Sequence, residues 1–432
     1  MIFIPFIYFT LLTIYLWCKH QGFDVCVYMA GLFSFTSLLC IIVVLGNLLD
    51  EGGILFDNYD LQFSPIATLI YCGFITMGIL PFSMLYKKKL KEITTPNPTI
   101  ALAVSIFLIV ISFINLYLVA DSTLEILSGD LSTIRTDHYN GIESPAEVKA
   151  QSMPFIIKFL YYFNASTLLA IPLFFYYLCF NKKPWWFISL LLFASLSMPI
   201  AGIQTADRTE MVFYAMMFLS CFILFHKFLS ARIKRVMRYS TIPIALAMIV
   251  YLGAVTEARF SKRESGIAGN MAQYAGQNYL NFCYFWEKAN YDHITAEREL
   301  PMTYHYLFHI DNDDYRRSIR SGQQGFFMSV FASYIGDVML DLSPIGMVLW
   351  CTLFFLIIAI VLKYPRREQL YLGEYMAFFA LSAIPIFGVF YYRYMAFPYS
   401  FMLIIVVLLF FTDKYDFHYS SSQESEKEIR NI

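Results

Sequence analysis

The chain has 432 residues and a net charge of −1; it is 58% hydrophobic, 19% aromatic and only 15% charged, with a mean hydropathy of +0.57. Soluble domains are about a quarter charged, so this balance excludes an ordinary soluble domain and points to a polytopic membrane protein. The near-neutral charge gives no footing for nucleic-acid binding, and the absence of strand-period alternation argues against a β-barrel.

A helix needs about twenty apolar residues to cross a hydrocarbon core of about 30 Å. In chain order such runs fall at 1–18, 25–49, 64–85, 99–119, 155–180, 185–204, 209–226, 241–257, 343–362, 370–390 and 396–412. The expected fold class is therefore an all-α polytopic membrane protein of about 11 transmembrane helices, with a long extracytoplasmic loop carrying short amphipathic helices. Helices one to four occupy 1–119, an extracytoplasmic loop 120–154 and helices five to eight 155–257. A large extracytoplasmic loop with an interfacial helix fills 258–342, helices nine to eleven 343–412, and a cytoplasmic tail 413–432. Residues 1–18 lack a cationic leader and a small-residue cleavage site, so the reading is a retained helix rather than a signal peptide.

Cations cluster on alternate loops: Lys19; Lys87, Lys88, Lys89 and Lys91; Lys182 and Lys183; Lys227 to Arg238; and Lys363, Arg366 and Arg367. The positive-inside rule places those loops in the cytoplasm, with the amino terminus outside and the carboxyl terminus inside. Of eight cysteines only Cys283 falls in an expected outer loop, and no C-x-x-C motif occurs. The cysteines therefore read as small hydrophobes in helices. Internal repeats are not visible, and neither broken helices nor mid-span charges are expected.

Charges at a membrane helix lip are costly and usually have a partner or ligand. Asp207, Arg208 and Glu210 sit in a tight turn between two apolar runs. Arg208 reads either as a turn arginine paired with a neighbouring carboxylate or as a clamp for a phosphate, with Asp207 and Glu210 orienting it. Arg259, Lys262 and Arg263 share one helical face at the end of the eighth span, and Arg393 in "YYRYM" is a further outer cation. Three hairpins thus each bring cations to the outer membrane surface. Ser329, Ser333, Asp337 and Asp341 recur every four residues and form a polar stripe on a largely apolar helix. Asp337 and Asp341 read as the solvated edge of that interfacial helix, or as a base with a raised pKa. His305 and His309 are spaced i, i+4 near Asp311, without H-E-x-x-H; His305 is a candidate catalytic histidine and no metal is expected. Lys158 and Glu374 read as snorkelling ends of their spans, and the aromatic run 279–291 as an interface belt or a sugar-stacking surface.

This layout resembles the Wzy-type polymerases, also called O-antigen or oligosaccharide repeat unit polymerases. The likeness is strongest from Pro199 to Gly346: "ADRTEMVFYAMMF", "EARFSKRES", the loop with "YAGQNYLNF", and "SYIGDVMLDLSPIG" with Gly336, Asp337, Asp341 and Gly346. Asp337 stands where the family more often has glutamate, and Ser343 where it usually has glycine. The resemblance implies a glycosyltransferase of a bacterial inner membrane, using no metal or other cofactor. It would transfer a glycan between undecaprenyl-diphosphate-linked oligosaccharides on the extracytoplasmic side, in O-antigen, capsule or exopolysaccharide assembly. Implied partners are these lipid-linked oligosaccharides, the bilayer, and flippase and chain-length regulator proteins. An O-antigen ligase-like transferase and a lipid-linked oligosaccharide flippase or transporter are the alternatives; an acyltransferase would want a histidine buried in a span.

Overall fold

The computed structural model describes residues 1–46, 48, 63–87, 90–128, 145–203, 208–260, 266–291, 331–363, 368–392, 394 and 398–413. The described chain is almost wholly helical. In order it forms α1 (Phe3–His20), α2 (Val25–Leu45), α3 (Pro65–Ile79), α4 (Ser83–Lys87), α5 (Pro98–Ser128), α6 (Pro145–Gln151), α7 (Phe155–Tyr161) and α8 (Ala170–Cys179). There follow α9 (Trp185–Ser195), α10 (Ser197–Ile203), α11 (Thr209–Phe225), α12 (Ala231–Phe260), α13 (Gly266–Lys288), α14 (Ser333–Lys363), α15 (Leu372–Phe387) and α16 (Pro398–Asp413).

Among the described residues, six helices or helix runs are long and apolar enough to cross a membrane: Phe3–His20, Val25–Leu45, Pro65–Leu85, Pro98–Ala120, Trp185–Ile203 and Ser333–Leu362. A seventh arises if Phe155–Tyr161 and Asn164–Cys179, bent by 55°, count as one span. Thr209–Phe225, Leu372–Phe387 and Pro398–Asp413 are shorter apolar helices. The expected span 241–257 lies inside α12, which begins ten residues earlier.

Several expectations need correction. The expected loop 120–154 begins as the last turns of α5, which runs to Ser128, and also holds α6. The expected outer loop 258–342 contributes two core elements. One is α13, whose Asn and Gln content disguises an inward face: Tyr279, Leu280, Phe282, Cys283 and Phe285 are buried. Its polar groups are satisfied by other segments, since Asn278 Nδ2 donates to the Val389 carbonyl (2.6 Å) and Asn281 Nδ2 to the Phe331 carbonyl (2.8 Å). Gly276 lets α13 cross α2 closely, because a Cβ there would lie 2.7 Å from the Cys40 nitrogen and the Leu39 carbonyl carbon. The aromatic run from Tyr279 is thus core, and Cys283 is no outer-loop thiol.

The second element is the first half of α14, which is buried rather than interfacial. It is set apart from the apolar second half by Ser343, at φ 68 and ψ 170, followed by Pro344. Pro344 has no N–H to donate to the preceding turn, so the ladder breaks and a new helix starts with proline at its first position.

Broken helices, expected to be absent, occur here and at α7/α8 and α9/α10. The latter two breaks share a buried polar network. Asn115 Nδ2 donates to Asn164 Oδ1 (2.8 Å) and to the Ser197 carbonyl (3.1 Å), and the Ser197 hydroxyl to Thr167 Oγ1 (3.0 Å). These side chains occupy backbone and hydroxyl groups that the breaks release where no water would reach them.

The structure also adds a short parallel sheet, β1 (Glu92–Thr94) with β2 (Gln369–Tyr371), in register Glu92↔Gln369, Ile93↔Leu370 and Thr94↔Tyr371. Lys91 and Glu368 pair beside it, and Lys227 Nζ donates to the Leu90 carbonyl (2.5 Å). Asp413, the last residue of α16 and the first of the expected tail, is buried and accepts the Gly373 N–H (2.7 Å) and the Thr95 hydroxyl (3.3 Å). Glu374 does not snorkel. It is buried and turns back to accept the Tyr371 N–H (3.1 Å), capping α15.

Candidate functional site

Arg208 is the N-cap residue of α11 and is half-buried. Its Nη1 donates to the Thr256 hydroxyl of α12 at 2.7 Å, and that hydroxyl in turn donates to the Leu252 carbonyl (2.5 Å). The Arg208 Cζ stands 4.9 Å from the centroid of the Tyr274 ring of α13. A guanidinium over an aromatic face and against a hydroxyl keeps its charge while its plane is fixed. Three elements therefore orient one arginine, with Tyr274 and Thr256 as partners that no local spacing announces.

Glu210, in the first turn of the same helix, sits where the helix dipole favours an anion. It accepts a hydrogen bond from the Tyr399 hydroxyl of α16 at 3.2 Å. Tyr399 opens an aromatic wall: its ring lies 5.8 Å from Tyr394 and 5.9 Å from Phe213, and Tyr394 lies 6.3 Å from Tyr392. On the other flank Tyr274 lies 4.5 Å from Phe331, which stacks on Tyr391 at 5.6 Å.

Both flanks lead to Asp337. The Tyr392 N–H donates to Asp337 Oδ2 at 2.7 Å, and the backbones of Ser333 and Tyr334 donate to the Phe390 and Gly388 carbonyls (3.0 and 2.9 Å). The turn that ends α15 is thus stitched to the start of α14, with Asp337 accepting from it. Asp337 and Asp341 are only 2% and 1% exposed, so the expected solvated edge is wrong. For Asp337 the physical reason is that it faces the 388–392 turn, whose buried Tyr392 N–H needs an acceptor.

The structure brings Arg208, Glu210 and Asp337 to one aromatic-lined region. Arg259 lies in the last turn of α12, three residues beyond Thr256, but its side chain lies outside the described residues. Asp207, Lys262, Arg263, His305, His309, Asp311, Ser329 and Arg393 also lie outside them. Among the described residues no group of three or more His, Cys, Asp or Glu side chains could hold a metal ion. No protein-family model, curated protein or solved structure matches the chain.

Proposed function

We propose that this chain is a lipid-carrier-dependent glycosyltransferase of a bacterial inner membrane, polymerising undecaprenyl-diphosphate-linked oligosaccharide repeat units on the extracytoplasmic side. The proposal includes eleven spans, with the amino terminus outside and the carboxyl terminus in the cytoplasm, and flippase and chain-length regulator proteins as partners. The observation that carries it is the Arg208 platform. An oriented guanidinium stands at a helix N-terminus, two residues from a tyrosine-bonded carboxylate, against a wall of tyrosines.

In the proposed step, an acceptor sugar hydroxyl attacks the anomeric carbon of the donor. The new C–O bond forms, the bond to the carrier diphosphate breaks, and its electron pair leaves on the phosphate oxygen. A carboxylate takes the hydroxyl proton. Arg208, with Arg259, Lys262, Arg263 and Arg393, would meet the negative charge growing on the diphosphate, where fixed donors stabilise the transition state more than the ground state. Half-exposed Glu210 is the described carboxylate best placed to meet a hydroxyl. Sealed Asp337 and Asp341 would hold the scaffold, and His305 remains an alternative base.

The test uses Arg208→Ala, Arg208→Lys and Arg259→Ala in membranes supplied with lipid-linked repeat units, with protein level checked first. Normal insertion with a glycan ladder collapsed to single repeats supports the proposal. Persistent ladders make these arginines structural, and a wild type that never extends a repeat removes the polymerase reading. The broken spans and buried carboxylates favour a second reading, a flippase or transporter for the same lipid-linked sugars, in which the wild type moves single units without joining them.

A further inference from the structure

The junction between α11 and α12 carries a separate charge pattern. Between Met211 and Thr256 there is no acidic residue, yet His226, Lys227, Arg232, Lys234, Arg235 and Arg238 fall within thirteen positions. Lys227 is committed to the Leu90 carbonyl. Arg232, Lys234, Arg235 and Arg238 have no ion-pair partner among the described residues, where the two pairs are His20–Asp24 and Lys91–Glu368.

The first turns of α12 sort these residues by face. Ile233 and Met237 turn toward the core, while Arg232, Arg235, Val236, Arg238 and Tyr239 are exposed, Val236 by 60% and Tyr239 by 67%. An exposed arc mixing arginines with a β-branched side chain and a tyrosine suits a lipid–water boundary: the apolar groups enter the acyl region and the cations stay at headgroup depth. The arc begins seven residues after the apolar helix α11 ends at Phe225, so it lies at membrane-surface level on that side. Desolvation first, and then Lys234 and Arg238, which are one turn apart, oppose protonation of His226, so the junction carries a positive field.

We infer that residues 226–239 form a binding surface for anionic phospholipid headgroups in the leaflet where α11 ends. The surface would seat a phosphodiester between Lys234, Arg238 and the arginines of the exposed arc. This holds for either functional reading, because it concerns the opposite end of α11 from Arg208.

The experiment takes the full chain in mixed micelles or nanodiscs containing phosphatidylglycerol and phosphatidylcholine and reads the lipid that co-purifies by native mass spectrometry. Wild type should retain phosphatidylglycerol preferentially. R232Q/K234Q/R235Q/R238Q should lose that preference by about fivefold per cation removed, the weight of one Lys or Arg near an anionic surface. The charge-preserving R232K/R235K/R238K should keep it, and R232Q alone, the fallback if the quadruple variant fails to fold, should lose about fivefold. High salt should weaken retention in wild type. An unchanged preference in a folded neutralised variant would overturn the inference, as would equal retention of phosphatidylcholine by wild type. So would full displacement of phosphatidylglycerol by inorganic phosphate at matched concentration, which would mark a site for free anions.

Discussion

Ser343→Gly should stabilise this protein, although it removes a side chain. Ser343 is held at φ 68 and ψ 170, a region populated essentially by glycine, where another residue stores about 1–3 kcal/mol. Two effects oppose the relief. Ser343 Oγ accepts the Gly346 N–H at 3.5 Å, a long cap bond, and replacing a serine cap by glycine costs only a few tenths of a kcal/mol. Glycine also loosens the unfolded chain by about 0.4–1 kcal/mol. With strain near the middle of its range, the balance is a gain of about 1 kcal/mol. Ser343→Ala keeps the strain and loses the cap, so it should destabilise by about 0.5 kcal/mol. Thermal unfolding of detergent-solubilised protein, followed by fluorescence-detected gel filtration, should rank glycine above serine above alanine. A glycine variant melting at or below wild type would refute the reasoning, because the break would then depend on the serine rather than tolerate it.

Gly276→Ala should force α13 and α2 apart, since its Cβ would lie 2.7 Å from backbone atoms of Leu39 and Cys40; a loss of about 1–3 kcal/mol is expected in the same melt. Asp337→Ala should strand the buried Tyr392 N–H and cost about 1–3 kcal/mol, whereas Asp337→Asn keeps an acceptor oxygen and should recover most of it; equal melting of the two would show that the bond at 2.7 Å does not matter. His226 titrates below the ordinary histidine value of about 6.5, first because it is desolvated and then because Lys234 and Arg238 oppose its charge. The unfolded chain therefore takes the proton first, and stability falls as pH drops through about 6.5 toward the lower folded value. K234Q/R238Q should raise the His226 pKa in a proton NMR titration, though only partway, since the larger cause remains.

Among the described residues, hydropathy found every long apolar helix because a bilayer demands about twenty apolar residues wherever a helix crosses unaided. It misjudged helices whose polar groups are satisfied by other helices. The segment around "GNMAQYAGQNYLNF" reads as a polar loop, yet Asn278 and Asn281 spend their donors on carbonyls 111 and 50 residues away. Asp337 reads as part of a solvated edge for the same reason, because no local pattern reveals the 388–392 turn whose Tyr392 N–H it accepts. The α7/α8 and α9/α10 breaks share Asn115, whose partners are 49 and 82 residues distant. At the candidate site Arg208 and Glu210 were legible as charges squeezed between apolar runs. Thr256, Tyr274 and Tyr399, 48, 66 and 189 residues from their partners, were not.

The breaks bear on which functional reading the architecture favours. A transporter needs its discontinuous helices to rearrange, so the groups at a break must exchange partners cheaply. Here they are tied down: Asn115 bonds both the Asn164 side chain and the Ser197 carbonyl, and Ser197 bonds Thr167, so parting α5, the α7/α8 pair and α10 means giving up three hydrogen bonds at once, two of them fully buried. In the half-helix before the third break, Asp337 and the backbones of Ser333 and Tyr334 lock the start of α14 to the turn after α15. Asp413, Thr95 and the β1–β2 pair tie α16, β1 and the start of α15 together at another junction. Buried hydrogen bonds without water to replace them are costly to open. Helices broken yet cross-bonded in this way are better suited to hold an arginine and a carboxylate in fixed relation than to rock past each other, and that stillness is what a transfer reaction asks of its site.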